Sequence, residues 1–159
     1  MRVLVVVASR HGSTDEIGAT VADVLREAGH DVERVAPADV TSLEGVDAVV
    51  LGSAIYMSQW LEPARDLVAR LGDELRRLPV WMFSSGPVGS QAAPARIHGL
   101  LEAVEPLDYQ VFSGVVDRSV LSLRERSVVR MVGAEEGDFR DWAAIRDWAR
   151  AIAGTLAAV

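Results

Sequence analysis

The chain is 159 residues long, half of them hydrophobic, and carries a net charge of −7 with no cysteine, which suits one domain whose core stands without disulfides. All 16 basic residues are arginine, and the absence of lysine and asparagine excludes a P-loop lysine, Schiff-base chemistry and glycosylation sequons. Without cysteine there are no thiolate metal sites, iron–sulfur clusters or thiol nucleophiles, three scattered histidines offer little to a metal, and the acidic balance argues against nucleic acid as a partner.

Val3–Ala8 opens the chain as a continuous apolar run. It is too short for a signal segment and leads straight into a helix, so it reads as a strand buried on both faces, in a cytoplasmic protein. Ser13-Thr14-Asp15-Glu16 has the spacing of a capping box with Ser13 as the cap. Ile17, Val21, Val24 and Ala28 then follow at helical intervals until Gly29 stops the helix. Asp31–Ala36 and Ala48–Gly52 are the second and third strands, and a helix over Pro63–Leu75 buries Leu67, Val68 and Leu71. The fourth strand is Val80–Phe83, the next helix Ala95–Val104, and the fifth strand Tyr109–Val116. Asp141–Leu156 closes the fold as a helix with Trp142, Ile145, Ala149, Ile152 and Leu156 along one stripe. Trp142 and Trp148 are assigned there to the core rather than to a ligand. Strands alternating with helices point to βα units around a parallel sheet in a single domain, 1–159.

Residues 118–133 exceed what a connection needs. Plotted as a helix, Val120, Leu121, Val128, Val129, Met131 and Val132 gather on one side, and Arg118, Arg124, Arg126 and Arg130 against Glu125 give a charge of about +3. Two readings stay open for this basic amphipathic insertion: an ordinary packing helix, or a surface for a membrane or an acidic partner.

In open parallel sheets, ligands bind beyond the carboxyl ends of the strands where the strand order reverses. With the order 2-1-3-4-5, the loops after the first, third and fourth strands meet at one crevice. The first, Ser9-Arg10-His11-Gly12-Ser13-Thr14, leads into a helix N-terminus and can cradle a phosphate with no lysine. The second holds Ser53, Ala54, Ile55, Tyr56 and Trp60, and its two large aromatics leave two readings open: stacking on a flat ring, or Trp60 packing beneath the loop. The third, Ser84-Ser85-Gly86-Pro87-Val88-Gly89, offers backbone donors and acceptors to the edge of a heterocycle. No side chain stands out as a catalytic residue. His11 is the nearest to a general base, but at a helix N-terminus it is better placed to meet phosphate or solvent.

Together these residues resemble the flavodoxin-like family, whose phosphate loop runs approximately Thr-x-Thr-Gly-x-Thr. Ser9, Gly12 and Thr14 match its hydroxyl, glycine and last threonine, while His11 departs from the middle threonine. The resemblance implies an α/β flavodoxin-like three-layer sandwich with a five-stranded parallel sheet, order 2-1-3-4-5. It also implies FMN, with the phosphate on residues 9–14 and the isoalloxazine between the second and third loops.

A closer likeness is to the menaquinone-dependent protoporphyrinogen IX dehydrogenase group, carried by Arg10-His11-Gly12-Ser13-Thr14, the segment Leu121 to Val132, and Asp141-Trp142 at the final helix. That likeness implies an FMN oxidoreductase with a quinone acceptor and peripheral contact with the inner face of a membrane through Leu121 to Val132. The third loop lacks the aromatic that many electron-carrier flavodoxins place over the flavin. Two alternatives stand beside this reading: a small soluble electron-transfer flavodoxin serving a redox partner, and a cofactor-free flavodoxin-like interaction module.

Overall fold

The architecture follows from a computed structural model that describes residues 1–86, 96–116, 137–138 and 140–158. Strand β1 (Arg2–Ala8) leads into helix α1 (Ser13–Glu27), β2 (Asp31–Val35) and a single 3-10 turn at Pro37–Asp39. Strand β3 (Ala48–Tyr56), the short return strand β4 (Gln59–Trp60) and helix α2 (Glu62–Arg76) follow. Then come β5 (Val80–Gly86), α3 (His98–Val104), β6 (Asp108–Ser113), β7 (Val115–Val116), β8 (Gly137–Asp138) and α4 (Trp142–Ala157).

The main sheet has the order β2-β1-β3-β5-β6, all parallel, with β4 hydrogen-bonded antiparallel to β3. This is the expected 2-1-3-4-5 arrangement once the hairpin strand is counted separately. The alternating side chains of each strand sort the core into two layers. Val3, Val5 and Val7 pack with Ile17, Val21 and Leu25 of α1 and Ile145, Trp148 and Ile152 of α4. Leu4, Val6 and Ala8 point the other way, towards Leu67, Val68, Leu71 and Leu75 of α2. Both faces of β1 are therefore dry, which is why its sequence is apolar without alternation.

Several boundaries differ from the sequence reading, each for a physical reason. β3 and β5 run on through Gly52-Ser53 and Ser84-Ser85-Gly86, residues that read as the start of loops. The register of these strands stays parallel as far as Ala54 opposite Ser85, because the serine hydroxyls find partners within the fold. The fifth strand is broken at Gly114: β6 belongs to the main sheet, whereas β7 pairs antiparallel with β8 in a separate ribbon. Helix α3 begins at His98 rather than Ala95, and Ala95 lies outside the described residues. The basic segment 118–133, including Leu121 to Val132, also lies outside them. Among the described residues no helix is long and apolar enough to cross a membrane.

Gly52 shows how tightly the centre of the sheet is packed. A Cβ built there would overlap the ring of Phe83 on the neighbouring strand. That ring cannot easily yield, being fully buried in a triangle with Phe112 and Trp148 at centroid distances of 6.0 and 5.8 Å. Gly52→Ala is accordingly expected to lower stability by about 1–3 kcal/mol through overpacking, read as a lower urea midpoint. An unchanged midpoint would show that Phe83 can rotate away without cost.

Candidate functional site

The parallel register brings three segments to one edge of the sheet, with Ala8 opposite Ser53, Ser53 opposite Ser84 and Ala54 opposite Ser85. Beyond β1, the chain turns through residues 9–12 into α1. Gly12 makes that turn at φ 89°, a left-handed conformation that favours glycine, and it is the N-cap of the helix. The Gly12 N–H donates to Ser9 Oγ at 3.0 Å, tightening the loop, and Glu16 N–H donates to Gly12 O at 3.1 Å as the helix begins.

The expected capping box does not form. Ser13 is already helical, among the described residues no side-chain cap is seen at α1, and the Glu16 carboxylate is engaged by Arg140 instead. The first N–H groups of a helix have no acceptor within it, and the dipole gives that end a positive character. Without a side-chain cap, a 15-residue helix directs those amides into the loop formed by Ser9 to Thr14. Ser13 is half-buried, Thr14 is buried, and Arg10, His11 and Gly12 are exposed.

The second segment is the end of β3 and its hairpin. Ala54, Ile55 and Tyr56 are half-buried at the rim, and the Arg10 guanidinium lies 4.5 Å from the Tyr56 ring centroid, a cation–π contact joining the first two segments. Trp60 takes the packing alternative. It is not an exposed aromatic but 1% accessible, folded under the hairpin with its Nε1 donating to Ser84 Oγ at 2.7 Å. Ser84 Oγ lies 2.6 Å from Tyr109 Oη, and burial raises the Tyr109 pKa against the smaller opposing pull of the Ser84 hydrogen bond. Ser53 is likewise turned inward, accepting from Leu61 N–H at 3.0 Å and donating to Ala54 O at 2.8 Å. Three of the residues picked out for ligand contact, Ser53, Trp60 and Ser84, thus have their polar groups engaged inside the protein.

In the third segment, Ser85 and Gly86 end β5 at the rim and are buried. Pro87, Val88 and Gly89 lie outside the described residues.

A cluster that the sequence reading missed stands behind the first turn of α1. The Arg140 side chain is only 10% accessible. Its Nε and Nη2 grip Asp138 as a fork at 2.9 and 2.7 Å, and its Nη1 donates to Glu16 Oε2 at 2.6 Å and to the Ser13 carbonyl at 3.3 Å. The guanidinium also lies 4.6 Å from the Trp142 ring centroid. The hydrogen bonds that Arg140 donates to Asp138 and, less strongly, to Glu16 raise its pKa despite its burial, and the Arg140 contact lowers that of Asp138. The local signals were slight: an Asp-x-Arg spacing and a glutamate in a first helical turn.

A doubly wound parallel sheet with a lysine-free anion cradle at its carboxyl edge defines the flavodoxin-like class of α/β proteins. The flavodoxin-domain family model matches residues 4–142, and the chain belongs to that family. Solved structures agree on the fold. A flavodoxin from Streptococcus pneumoniae shares 17% identity and a TM-score of 0.67 over 98% of this chain and 99% of that one. A flavodoxin variant from Pseudomonas aeruginosa shares 13% identity and a TM-score of 0.63 over 97% of each. The rubredoxin oxygen:oxidoreductase of Desulfovibrio gigas shares 14% identity and a TM-score of 0.67 over 99% of this chain, which spans only 36% of that longer protein. Among curated proteins, none matches this sequence.

Membership of the family makes FMN the implied cofactor, and the cradle fits its terminal phosphate. At Gly12 a Cβ would meet nothing within 4 Å among the described residues, so the backbone of the turn is not crowded there.

The hairpin tip beside this edge is strained. Met57 and Ser58 both hold positive φ, 54° and 62°, the geometry of a two-residue turn that favours Asn-Gly or Gly-Gly. Ser58→Gly should relieve part of that strain and raise stability by about 0.5–1 kcal/mol. Thermal unfolding checks it, and a lower midpoint would show that the Ser58 side chain contributes more than its backbone costs.

Proposed function

We propose that this protein is an FMN-dependent redox protein that exchanges electrons with a partner at the carboxyl edge of its sheet. The observation that carries the reading is the uncapped N-terminus of α1, entered through left-handed Gly12 and open towards solvent. A helix start of this kind suits a phosphate. The amides of Ser13 and Thr14, with the hydroxyls of Ser9, Ser13 and Thr14, would hold that group. Arg10 and His11 stand at the same loop. Ala54, Ile55 and Tyr56, with Ser85, Gly86 and the segment holding Pro87, Val88 and Gly89, would flank the ring system. Bound there, FMN supplies the electron chemistry, while the chain binds it, orients it and sets the polarity around it.

The turn at residues 9–14 suits a single terminal phosphate, which favours FMN over FAD. Denaturing the purified protein and chromatographing the released flavin should therefore give FMN. Recovery of FAD would overturn the cofactor assignment. No flavin bound, even after reconstitution with FMN, would leave the cofactor-free interaction module.

The second reading is a dehydrogenase of the protoporphyrinogen type that passes electrons to a quinone. The basic pattern of Leu121 to Val132 favours it, through peripheral contact with the inner, cytoplasmic face of a membrane. An arginine near an anionic surface contributes about 1 kcal/mol, and salt screens that attraction. Replacing Arg124, Arg126 and Arg130 with Gln should abolish co-sedimentation with anionic liposomes at low salt and slow quinone reduction, with FMN affinity unchanged. A wild-type protein that ignores liposomes and reduces quinone no faster than the triple variant would leave the soluble carrier as the function.

A further inference from the structure

The cradle at α1 has no lysine, and a carboxylate, Glu16, sits in its first turn. A phosphate dianion would meet that negative charge within one turn of the donors meant to hold it. The structure answers both features with one side chain. Arg140 donates to Glu16 Oε2 at 2.6 Å and to the Ser13 carbonyl at 3.3 Å, while its fork is fixed on Asp138 and its face lies against Trp142. The Ser13 carbonyl and the Thr14 N–H belong to one planar peptide and point in opposite directions. A cation at the carbonyl end therefore both fixes the Thr14 N–H direction and polarises it towards the cradle.

We infer that Arg140 is the positioning residue for the cofactor phosphate, holding the Ser13–Thr14 peptide and cancelling the charge of Glu16 from behind the helix. The inference rests on the FMN reading and deepens it. Arg140 does not touch the phosphate. Its charge stands one layer behind the loop that holds Arg10, where its own carboxylate partners hold it still. Arginine suits this role better than lysine, because engaging Asp138, Glu16 and Ser13 together requires a planar fork with several fixed donors.

The test compares FMN with riboflavin, which carries the same ring without the phosphate, by fluorescence titration of the apoprotein. In Arg140→Gln, FMN affinity should fall about tenfold, the scale of one charge-assisted hydrogen bond, while riboflavin affinity stays constant. Adding Glu16→Gln to that variant should recover about threefold of the loss, as expected for removing a partly solvent-screened charge. Arg140→Lys should lie between wild type and Arg140→Gln, since it keeps the charge and loses the fork. Should Arg140→Gln not fold, Glu16→Gln alone gives the reading: with Arg140 less neutralised, FMN affinity should rise and riboflavin affinity should not. Equal losses for the two flavins, or no change in either, would overturn the inference and leave Arg140 a structural tie. A wild-type protein that binds riboflavin and FMN equally would also overturn it. One that binds neither flavin would overturn the cofactor reading itself.

Discussion

A parallel sheet covered by helices on both faces gives a polar side chain no access to water along its strands, so every hydroxyl in it must be satisfied from within. Here that condition confines the openly polar chemistry to the strand ends. From Val3, Ala48 and Val80 onwards, β1, β3 and β5 stay apolar until Ala8, Gly52 and Phe83, and only beyond those points do serines follow. Two serines still inside the sheet are tied. Ser53 holds the chain entering α2, and Ser84 joins Trp60 to Tyr109. Each such bond has a modest net worth of about 1 kcal/mol, but leaving its buried partner unmatched would cost more.

This explains which parts of the molecule could be read from the sequence. The strand order, both core layers and the turn that leads into α1 were legible, because they follow from uninterrupted apolar runs, from helical spacing, and from a Gly-Ser-Thr turn before a helix. The lengths of β3 and β5 were not, because glycine and serine signal a loop only when their polar groups face water. Gly52 is instead the gap into which Phe83 fits, and Ser84 is an internal bridge. Trp60 left two readings open for the same reason. Its indole N–H has an internal acceptor, so the residue needed neither solvent nor a ligand to be accommodated.

The capping motif failed differently. Ser-x-x-Glu states what a short peptide would do when left to itself, and here Glu16 has a stronger partner 124 residues away. No window of sequence contains both. The helix also starts one residue before the motif expects, with Gly12 as its N-cap and Ser13 already helical, so its start is left without a side-chain cap. A helix end without a cap is a local cost to folding, and it is also what makes that end available to an anion.

The long reach of that contact bears on the order in which the molecule can mature during synthesis. Residues Arg2 to Val50 already contain β1, α1, β2 and the first part of β3, a unit able to begin pairing as it leaves the ribosome. Arg140 emerges 124 residues after Glu16, a delay on the order of ten seconds at usual translation rates. For that interval the α1 face of the early strands lacks Ile145, Trp148 and Ile152, and the glutamate at the helix start stands unneutralised. A nascent chain would in this way hold a phosphorylated ligand less tightly until the closing helix docks, so that its firmest capture and the completion of the core fall late together.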